Sequence, residues 1–186
     1  MALVISLYGG PGAGKSTLAY KLAGLLKQHN YNAELVVEYV KHSAYTEARY
    51  ELHDQIYLTA QHNHRLRILQ DQVDIIVTDA SLLNCLVYTN ETDKLEHNLG
   101  LELYKRYDNI GFILPRKEKY MTVGRSQTHK EALELDKKIN EAIQFLPEAE
   151  RIDLRHIPVN DQGVLLLNTV FDCIVEQSFK RGIHIK

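Results

Sequence analysis

The sequence GGPGAGKST, residues 9–17, is the segment of this 186-residue chain that most strongly indicates its fold. It follows an apolar run, Leu3–Tyr8, and precedes a segment with helical spacing, Lys15–His29. Glycines let a loop turn its backbone N–H groups inward around an anion, and the following helix points the positive end of its dipole at the same spot. The pattern G-x-x-x-x-G-K-[ST] between a strand and a helix therefore predicts a phosphate-binding loop, here called the P-loop.

The side chains of the P-loop predict how it would hold a nucleoside triphosphate. Lys15 is expected to bridge the β and γ phosphates, and the hydroxyl of Ser16 is expected to ligate Mg²⁺. Thr17 lies in the first helical turn, where it is expected to touch the α phosphate. The remaining P-loop residues predicted to bind the nucleotide are Gly10, Gly12, Ala13 and Gly14.

Composition predicts one soluble domain spanning residues 1–186. Hydrophobic residues make up 45% of the chain and charged residues 25%, and no apolar run approaches the length needed to cross a bilayer. The two cysteines, Cys85 and Cys173, lie far apart and near no histidines at metal-site spacing, which favours a cytoplasmic protein without disulfides. A net charge of -2 argues against a surface devoted to wrapping nucleic acid, although local basic patches stay open.

Short apolar runs alternate with longer segments of helical spacing, which predicts a parallel sheet covered by helices. The predicted strands are Leu3–Tyr8, Ala33–Val37, Val73–Thr78, Ile110–Leu114 and Ile152–Val159. The predicted helices are Lys15–His29, Ala44–Gln70, Leu82–Tyr88, Lys94–Tyr107, Lys130–Gln144 and Gln162–Lys180. A polar stretch interrupted by Gly124, residues 115–129, predicts a mobile loop after the fourth strand, here called the lid loop.

Polar residues follow the predicted strands, at the edge where open parallel sheets bind ligands. Ordinary turns also favour Asn and Asp, and this alternative accounts for part of the pattern. The residues at this edge are Glu38, Tyr39, Asp79, Arg116, Lys117, Asn160 and Asp161.

Two carboxylates at this edge carry the strongest predictions. Asp79 closes the run IIVTD and is expected to hold Mg²⁺ directly or through water. Its alternative role is the N-cap of the next helix, which Ser81 could also supply. Glu38 is expected to accept the proton of an attacking hydroxyl as a general base, against the alternative of an ordinary surface carboxylate.

Arginines of the lid loop are candidates for stabilising charge on a transferred phosphoryl group. Arg116 and Arg125 flank the polar stretch, and the alternative is a solvated loop. On the second predicted helix, His53, Tyr57 and Gln61 share a face that could line an acceptor pocket, although polar helix surfaces often look the same. The nine histidines are interpreted as ordinary residues, since none shows a metal-binding arrangement.

Several classes of triphosphate-binding protein lack support here. A GTPase needs an Asn-Lys-x-Asp guanine reader and an ABC transporter needs a Leu-Ser-Gly-Gly-Gln signature, and neither occurs in the sequence. A large ring-forming ATPase needs more chain than remains after the sheet is built. Of the classes considered, a small kinase is the one that the sequence still supports.

The chain resembles the P-loop small-molecule kinases related to the ribosylnicotinamide kinase domain and, more distantly, to deoxynucleoside and thymidylate kinases. The resemblance spans nearly the whole chain and rests on the P-loop, on residues 37–40 after the second strand, on residues 76–83 around the third, and on Gly124-Arg125 in the lid loop. It implies a three-layer P-loop NTPase sandwich with strand order 2-3-1-4-5, a Mg-ATP donor, an arginine-bearing lid and a base site near Asn160.

One position departs from this family. Relatives often carry an arginine between the acid and the serine that follow the third strand, whereas this chain has Ala80. An acceptor contact made by that arginine would have to come from elsewhere, and Arg49 and Arg65 are the candidates.

The leading hypothesis is transfer of the γ-phosphoryl group of ATP to a nucleoside, a nucleotide or a similar small molecule. An ATPase switch that recognises a protein partner is the first alternative. The second alternative is a kinase acting on a polynucleotide end or a hydroxymethylated base. The basic residues of the lid loop favour it, namely Arg116, Lys117, Lys119 and Arg125.

Overall fold

The computed structural model describes residues 1–40, 54–89, 92–116, 128–144, 153–157 and 167–184. Within them lies a five-stranded sheet of order β2-β3-β1-β4-β5 in which every neighbouring pair is parallel. This confirms the α/β class and the strand order that the family resemblance implies. The strands are β1 (Leu3–Tyr8), β2 (Ala33–Val36), β3 (Ile75–Thr78), β4 (Asp108–Ile113) and β5 (Asp153–His156).

Helices connect the strands and cover both faces of the sheet. In the described residues they are α1 (Lys15–Gln28), α2 (Gln55–Leu69), α3 (Cys85–Tyr88), α4 (Lys94–Tyr104), α5 (His129–Gln144) and α6 (Leu167–Lys180), with a 3₁₀ turn, Leu82–Asn84, leading into α3. Among the described residues, no helix is both long and apolar enough to cross a membrane.

The alternation of side chains along β1 divides the core into two layers. Leu3, Ile5 and Leu7 face a cluster with α1 and α6, whereas Val4 and Tyr8 face a cluster with α2, α4 and α5. A sheet with both faces buried needs apolar residues at nearly every strand position, which is why β1 and β3 read as continuous apolar runs.

The fourth strand and the helix before it differ from their predicted limits for reasons that lie in their contacts. Helix α4 ends at Tyr104 rather than Tyr107, because the side-chain amide of Asn109 donates to the carbonyl oxygens of both tyrosines, at 2.8 and 2.9 Å. Strand β4 begins at Asp108 rather than Ile110, because Asp108 pairs with Leu3 of β1. Tertiary pairing therefore overrides the apolar pattern at this junction.

The register of the sheet brings the ends of four strands together. Thr78 at the end of β3 pairs with Ser6 of β1 and with Val36 of β2, and Ile113 at the end of β4 pairs with Tyr8 of β1. The P-loop, Glu38, Asp79 and Arg116 all leave the sheet at this edge. The fold thus places the main sequence-predicted site residues on one side of the molecule.

Helix α5 begins at a capping box that its sequence encodes. Thr128 Oγ1 accepts from the backbone N–H of Glu131 at 3.3 Å, and Glu131 Oε2 accepts from the N–H of Thr128 at 2.6 Å. This reciprocal pair satisfies two N–H groups that would otherwise lack partners. It fixes the first turn of α5, and with it the direction in which the following turns present their side chains.

Candidate functional site

The backbone of the P-loop adopts the conformation that its glycines permit. Gly12 and Gly14 have φ values of 88° and 96°, in a region that favours glycine strongly. Gly14 is the N-cap of α1, so no cap side chain competes for the first N–H groups of the helix. The first turn carries no acidic residue that would repel an anion. The loop therefore presents backbone donors and the helix dipole to one small volume.

The side chain of Lys15 curls back over the P-loop. Its Nζ donates to the carbonyl oxygen of Gly9 at 2.6 Å and to that of Gly10 at 3.2 Å. These two bonds hold the ammonium group against the backbone at the start of the P-loop. A phosphate bound in the loop would meet a cation that is already positioned.

Asp79 and Glu38 lie side by side at the ends of adjacent strands. Asp79 Oδ1 accepts a hydrogen bond from the backbone N–H of Glu38 at 2.8 Å, and the Asp79 residue is only 1% exposed. The alternative N-cap role belongs to Ser81, whose Oγ accepts from the N–H of Leu83 at 3.1 Å. The Asp79 carboxylate instead fixes the chain at Glu38.

A buried phenol joins the P-loop strand to the turn after β3. The hydroxyl of Tyr8 lies 2.7 Å from Ser81 Oγ. Burial raises the pKa of Tyr8 to about 12, so the phenol stays protonated at neutral pH. This contact holds the residues before the P-loop against those that follow Asp79.

An aromatic cluster, formed by Tyr39, Tyr57 and Arg65, stands next to Glu38. The two hydroxyls are 2.9 Å apart and the rings meet edge to face, with centroids 5.7 Å apart. The Arg65 guanidinium lies 4.9 Å from the centre of the Tyr39 ring and donates to the carbonyl of Val37 at 3.2 Å. Arg65, one of the two candidates to replace the arginine missing at position 80, thus lies at this edge of the sheet.

The oxygen donors at the site fit Mg²⁺. Asp79 is a carboxylate at a strand end, and Ser16 lies in the first turn of α1, which follows the adjacent strand. Mg²⁺ commonly takes one or two protein oxygens and completes its shell with phosphate and water. In the part of the chain that the structure describes, no group of three or more His, Cys, Asp or Glu side chains is arranged to hold a metal by itself.

Arg116 is held against the P-loop by a partner that the sequence did not predict. Its Nε donates to Asp136 Oδ2, its Nη1 donates to the carbonyl of Pro11 at 2.9 Å, and Asp136 Oδ1 accepts from the N–H of Gly10 at 2.6 Å. Asp136 sits between the buried residues Ala132 and Ile139 of α5. A carboxylate on the apolar face of an amphipathic helix was the signal that could have identified it.

Several residues predicted for the site lie outside the described residues. Those with an assigned role are the lid arginine Arg125, the base-site residue Asn160, the alternative arginine Arg49 and the helix residue His53. The other strand-end and lid-loop positions are Lys117, Lys119 and Asp161. Their roles stay predictions.

A family model described as an AAA domain matches residues 4–155. The chain belongs to the AAA domain family. The matched region begins in β1 and includes the P-loop, Glu38, Asp79, Arg116 and Asp136. No curated protein sequence matches the chain.

Solved kinase structures share the fold of this AAA domain. A thymidylate kinase from Ehrlichia chaffeensis aligns with a TM-score of 0.60 at 15% identity, covering 95% of this chain and 98% of that one. A deoxyadenosine kinase from M. mycoides, solved with the products dCMP and a flexible dCDP bound, aligns with a TM-score of 0.62 at 21% identity, covering 95% and 99%. The resemblance to nucleoside and nucleotide kinases is therefore confirmed at the level of the fold.

His62 of α2 is a buried residue that the sequence analysis treated as ordinary. It is 5% exposed, its Nε2 lies 3.4 Å from Thr78 Oγ1, and no described residue pairs with its Nδ1. Burial lowers its pKa from 6.5 to about 4, although the carboxylate of Asp79 acts in the opposite direction. The imidazole is therefore neutral at physiological pH and lies beneath the end of β3.

This burial predicts that the AAA domain loses stability as the pH falls below 6.5. The unfolded chain protonates His62 near pH 6.5 and the folded chain only near pH 4, so the unfolded state binds more protons in this window. The contribution of His62 to the free energy of unfolding should fall by about 2 kcal/mol between pH 7 and pH 5. Urea unfolding at both pH values, in the wild type and in His62→Gln, measures this difference.

The neighbouring exposed residue His64 provides the control. His64→Gln should keep the pH dependence of the wild type, whereas His62→Gln should be flatter. Equal loss of stability in the wild type and in His62→Gln would show that His62 is not the responsible group.

Proposed function

We propose that this protein is a kinase that transfers the γ-phosphoryl group of Mg-ATP to a nucleoside, a nucleotide or a nucleoside-like small molecule. The contact between Asp79 and Glu38 carries the proposal. This hydrogen bond holds the backbone of Glu38, whose side chain is suited to proton transfer, against Asp79, a strand-end carboxylate suited to Mg²⁺. The kinase fold of the structural neighbours supports the same chemistry.

The donor side of this mechanism uses the P-loop. Lys15 neutralises the β and γ phosphates. Ser16 and Asp79 would hold Mg²⁺, which would supply further positive charge to the phosphates. Thr17 contacts the α phosphate in the first turn of α1. The backbone donors proposed for this site are Gly12 and Gly14. The other two P-loop residues predicted to bind the nucleotide use their N–H groups within the protein, Gly10 to Asp136 Oδ1 at 2.6 Å and Ala13 to the carbonyl oxygen of Gly10 at 3.2 Å.

The acceptor side uses Glu38 and the aromatic cluster. The acceptor oxygen forms a bond to the γ phosphorus, the bond from that phosphorus to its bridging oxygen breaks, and ADP leaves. When the acceptor is an alcohol, its proton passes to the Glu38 carboxylate. Tyr39 and Tyr57 offer aromatic surface to a planar base, and Arg65 offers positive charge to an acceptor phosphate.

Other parts of the proposal concern the lid loop and the organisation of the chain. Arg116 and Arg125 are proposed to stabilise charge on the phosphoryl group as it is transferred, and Asn160 is proposed to contact the base of the nucleotide. Residues 1–186 form a single cytoplasmic kinase domain, and its lid loop, predicted for about 115–129, ends before α5, which begins at His129. A nucleic-acid acceptor is less favoured, since the net charge of the chain is -2.

The test is ADP release from Mg-ATP, measured for the protein alone and with nucleosides, nucleoside monophosphates, nicotinamide riboside and short oligonucleotides. Stimulation of about tenfold by one class, a barrier change of ~1.4 kcal/mol, would identify both the activity and its acceptor. Stimulation only by oligonucleotides, with steep salt dependence, would indicate the polynucleotide alternative. ADP release that no acceptor changes would contradict the proposal and favour the ATPase switch.

A further inference from the structure

The contact between Arg116 and Asp136 forms a closed network around the first half of the P-loop. Asp136 accepts from the Gly10 N–H through Oδ1 and from Arg116 through Oδ2. Arg116 also donates to the carbonyl oxygens of Pro11 at 2.9 Å and Ala132 at 3.1 Å. The network thus joins two consecutive P-loop residues to helix α5 and to the residue that follows β4 by three positions.

The fit around Gly10 shows how closely α5 approaches the P-loop. A Cβ at Gly10 would lie 2.7 Å from Asp136 Oδ1, 2.9 Å from the carbonyl oxygen of Ala132 and 2.9 Å from Arg116 Nη2. Such distances leave no space for a side chain, so glycine at this position allows the helix to touch the loop backbone. The contact between α5 and the P-loop therefore involves the backbone of both elements, at Gly10 and at the carbonyl oxygen of Ala132.

We propose that Asp136 is a positioning residue that sets the conformation of the P-loop for nucleotide binding. It acts through the Gly10 N–H and through Arg116, and it makes the geometry of the loop depend on the docking of α5. This inference rests on the proposed function only in requiring that the P-loop bind a nucleotide. It adds a residue with a defined mechanical role to the donor site.

The burial of the pair makes its two members act as a unit. The side chains of Arg116 and Asp136 are 11% and 21% exposed, so removing either one leaves the other charge poorly solvated. Groups in one network show non-additive effects when both are replaced. An Arg116 that acted on the phosphoryl group independently of Asp136 would give additive effects instead.

The experiment measures ADP binding by titration calorimetry for the wild type, Asp136→Asn, Asp136→Ala, Arg116→Gln and the double variant Asp136→Ala/Arg116→Gln. Asp136→Ala and Arg116→Gln should each weaken binding about tenfold, as expected for a misplaced site, and the double variant should be little weaker than either. Asp136→Asn can still accept from Gly10 and should bind with intermediate affinity. Wild-type affinity in Asp136→Ala, or additive effects in the double variant, would overturn the proposal.

A second part-buried ion pair provides a matched control. Arg181 donates to both oxygens of Asp108, at 2.5 and 3.0 Å, and Asp108 lies at the start of β4, at the other end of the strand from the P-loop. Asp108→Ala should lower the melting temperature but leave ADP affinity unchanged. Equal loss of ADP affinity in Asp108→Ala and Asp136→Ala would show that general destabilisation is responsible and would overturn the positioning role.

Hydrogen exchange at the Gly10 amide tests the positioning role without a nucleotide. Asp136→Ala removes the acceptor of this N–H, and we expect its exchange to accelerate by about tenfold or more, while Asp108→Ala leaves it unchanged. Unchanged exchange in Asp136→Ala would contradict the proposal. A wild-type protein that failed to bind ADP would contradict the proposed function, and the exchange experiment would still decide the role of Asp136.

Discussion

Replacing Lys15 with alanine is expected to abolish turnover of ATP, with a loss of at least about a thousandfold in kcat/KM. The ammonium of Lys15 is held at the mouth of the P-loop by the Gly9 and Gly10 carbonyl oxygens. Truncation removes the positive charge that would neutralise the γ phosphate as its bond to the β phosphate breaks. Coupled detection of ADP release measures the effect.

Lys21 supplies the control for this substitution. It lies in the same helix, α1, on the exposed face. Lys21→Ala removes an equal charge and should retain wild-type turnover. Wild-type turnover in Lys15→Ala would show that the P-loop does not bind the reacting phosphates, and the assignment of the donor site would be wrong.

Replacing Asp79 with asparagine is expected to lower kcat by about a hundredfold to a thousandfold. Asparagine has nearly the same shape, and its side-chain oxygen can still accept from the N–H of Glu38. The change therefore removes the negative charge that would hold Mg²⁺ while it keeps the local contact. Raising the concentration of Mg²⁺ should restore part of the activity, which a purely structural defect would not allow.

Asp71 provides the matched control, since it is exposed and precedes β3 at the other end of the strand. Asp71→Asn should retain wild-type activity and the same dependence on Mg²⁺. Thermal unfolding of Asp79→Asn should show a folded protein. Activity of Asp79→Asn within a factor of about two of the wild type would exclude this carboxylate from the metal site.

Local patterns predicted the main elements of the sheet because those patterns reflect burial and turn chemistry. Strand β1 has the predicted limits, Leu3–Tyr8, since a glycine-rich loop ends a continuous apolar run. Strands β2, β3 and β5 are shorter than their predicted runs. An apolar residue beyond the last ladder pair looks the same in the sequence as one within it, so the pairing of neighbours decides where a strand ends.

The helices show the same division between local signals and distant contacts. The capping pair Thr128 and Glu131 marks the start of α5 in the sequence itself. The end of α4 depends on Asn109, which lies beyond the helix and binds back to it. Helical spacing alone therefore predicted that α4 continues to Tyr107, three residues beyond its observed end at Tyr104.

The P-loop, the family resemblance and the candidate carboxylates were predictable from the amino-acid sequence, because each depends on residue types at fixed spacing along the chain. Four other features are visible only in the folded chain: the contact of Asp79 with the backbone of Glu38, the stacking of Arg65 on Tyr39, the burial of His62 and the contact of Asp136 with the P-loop. These contacts join residues on different elements, and strand register and helix docking bring them together. No local pattern encodes that docking, since it depends on how all the layers pack at once.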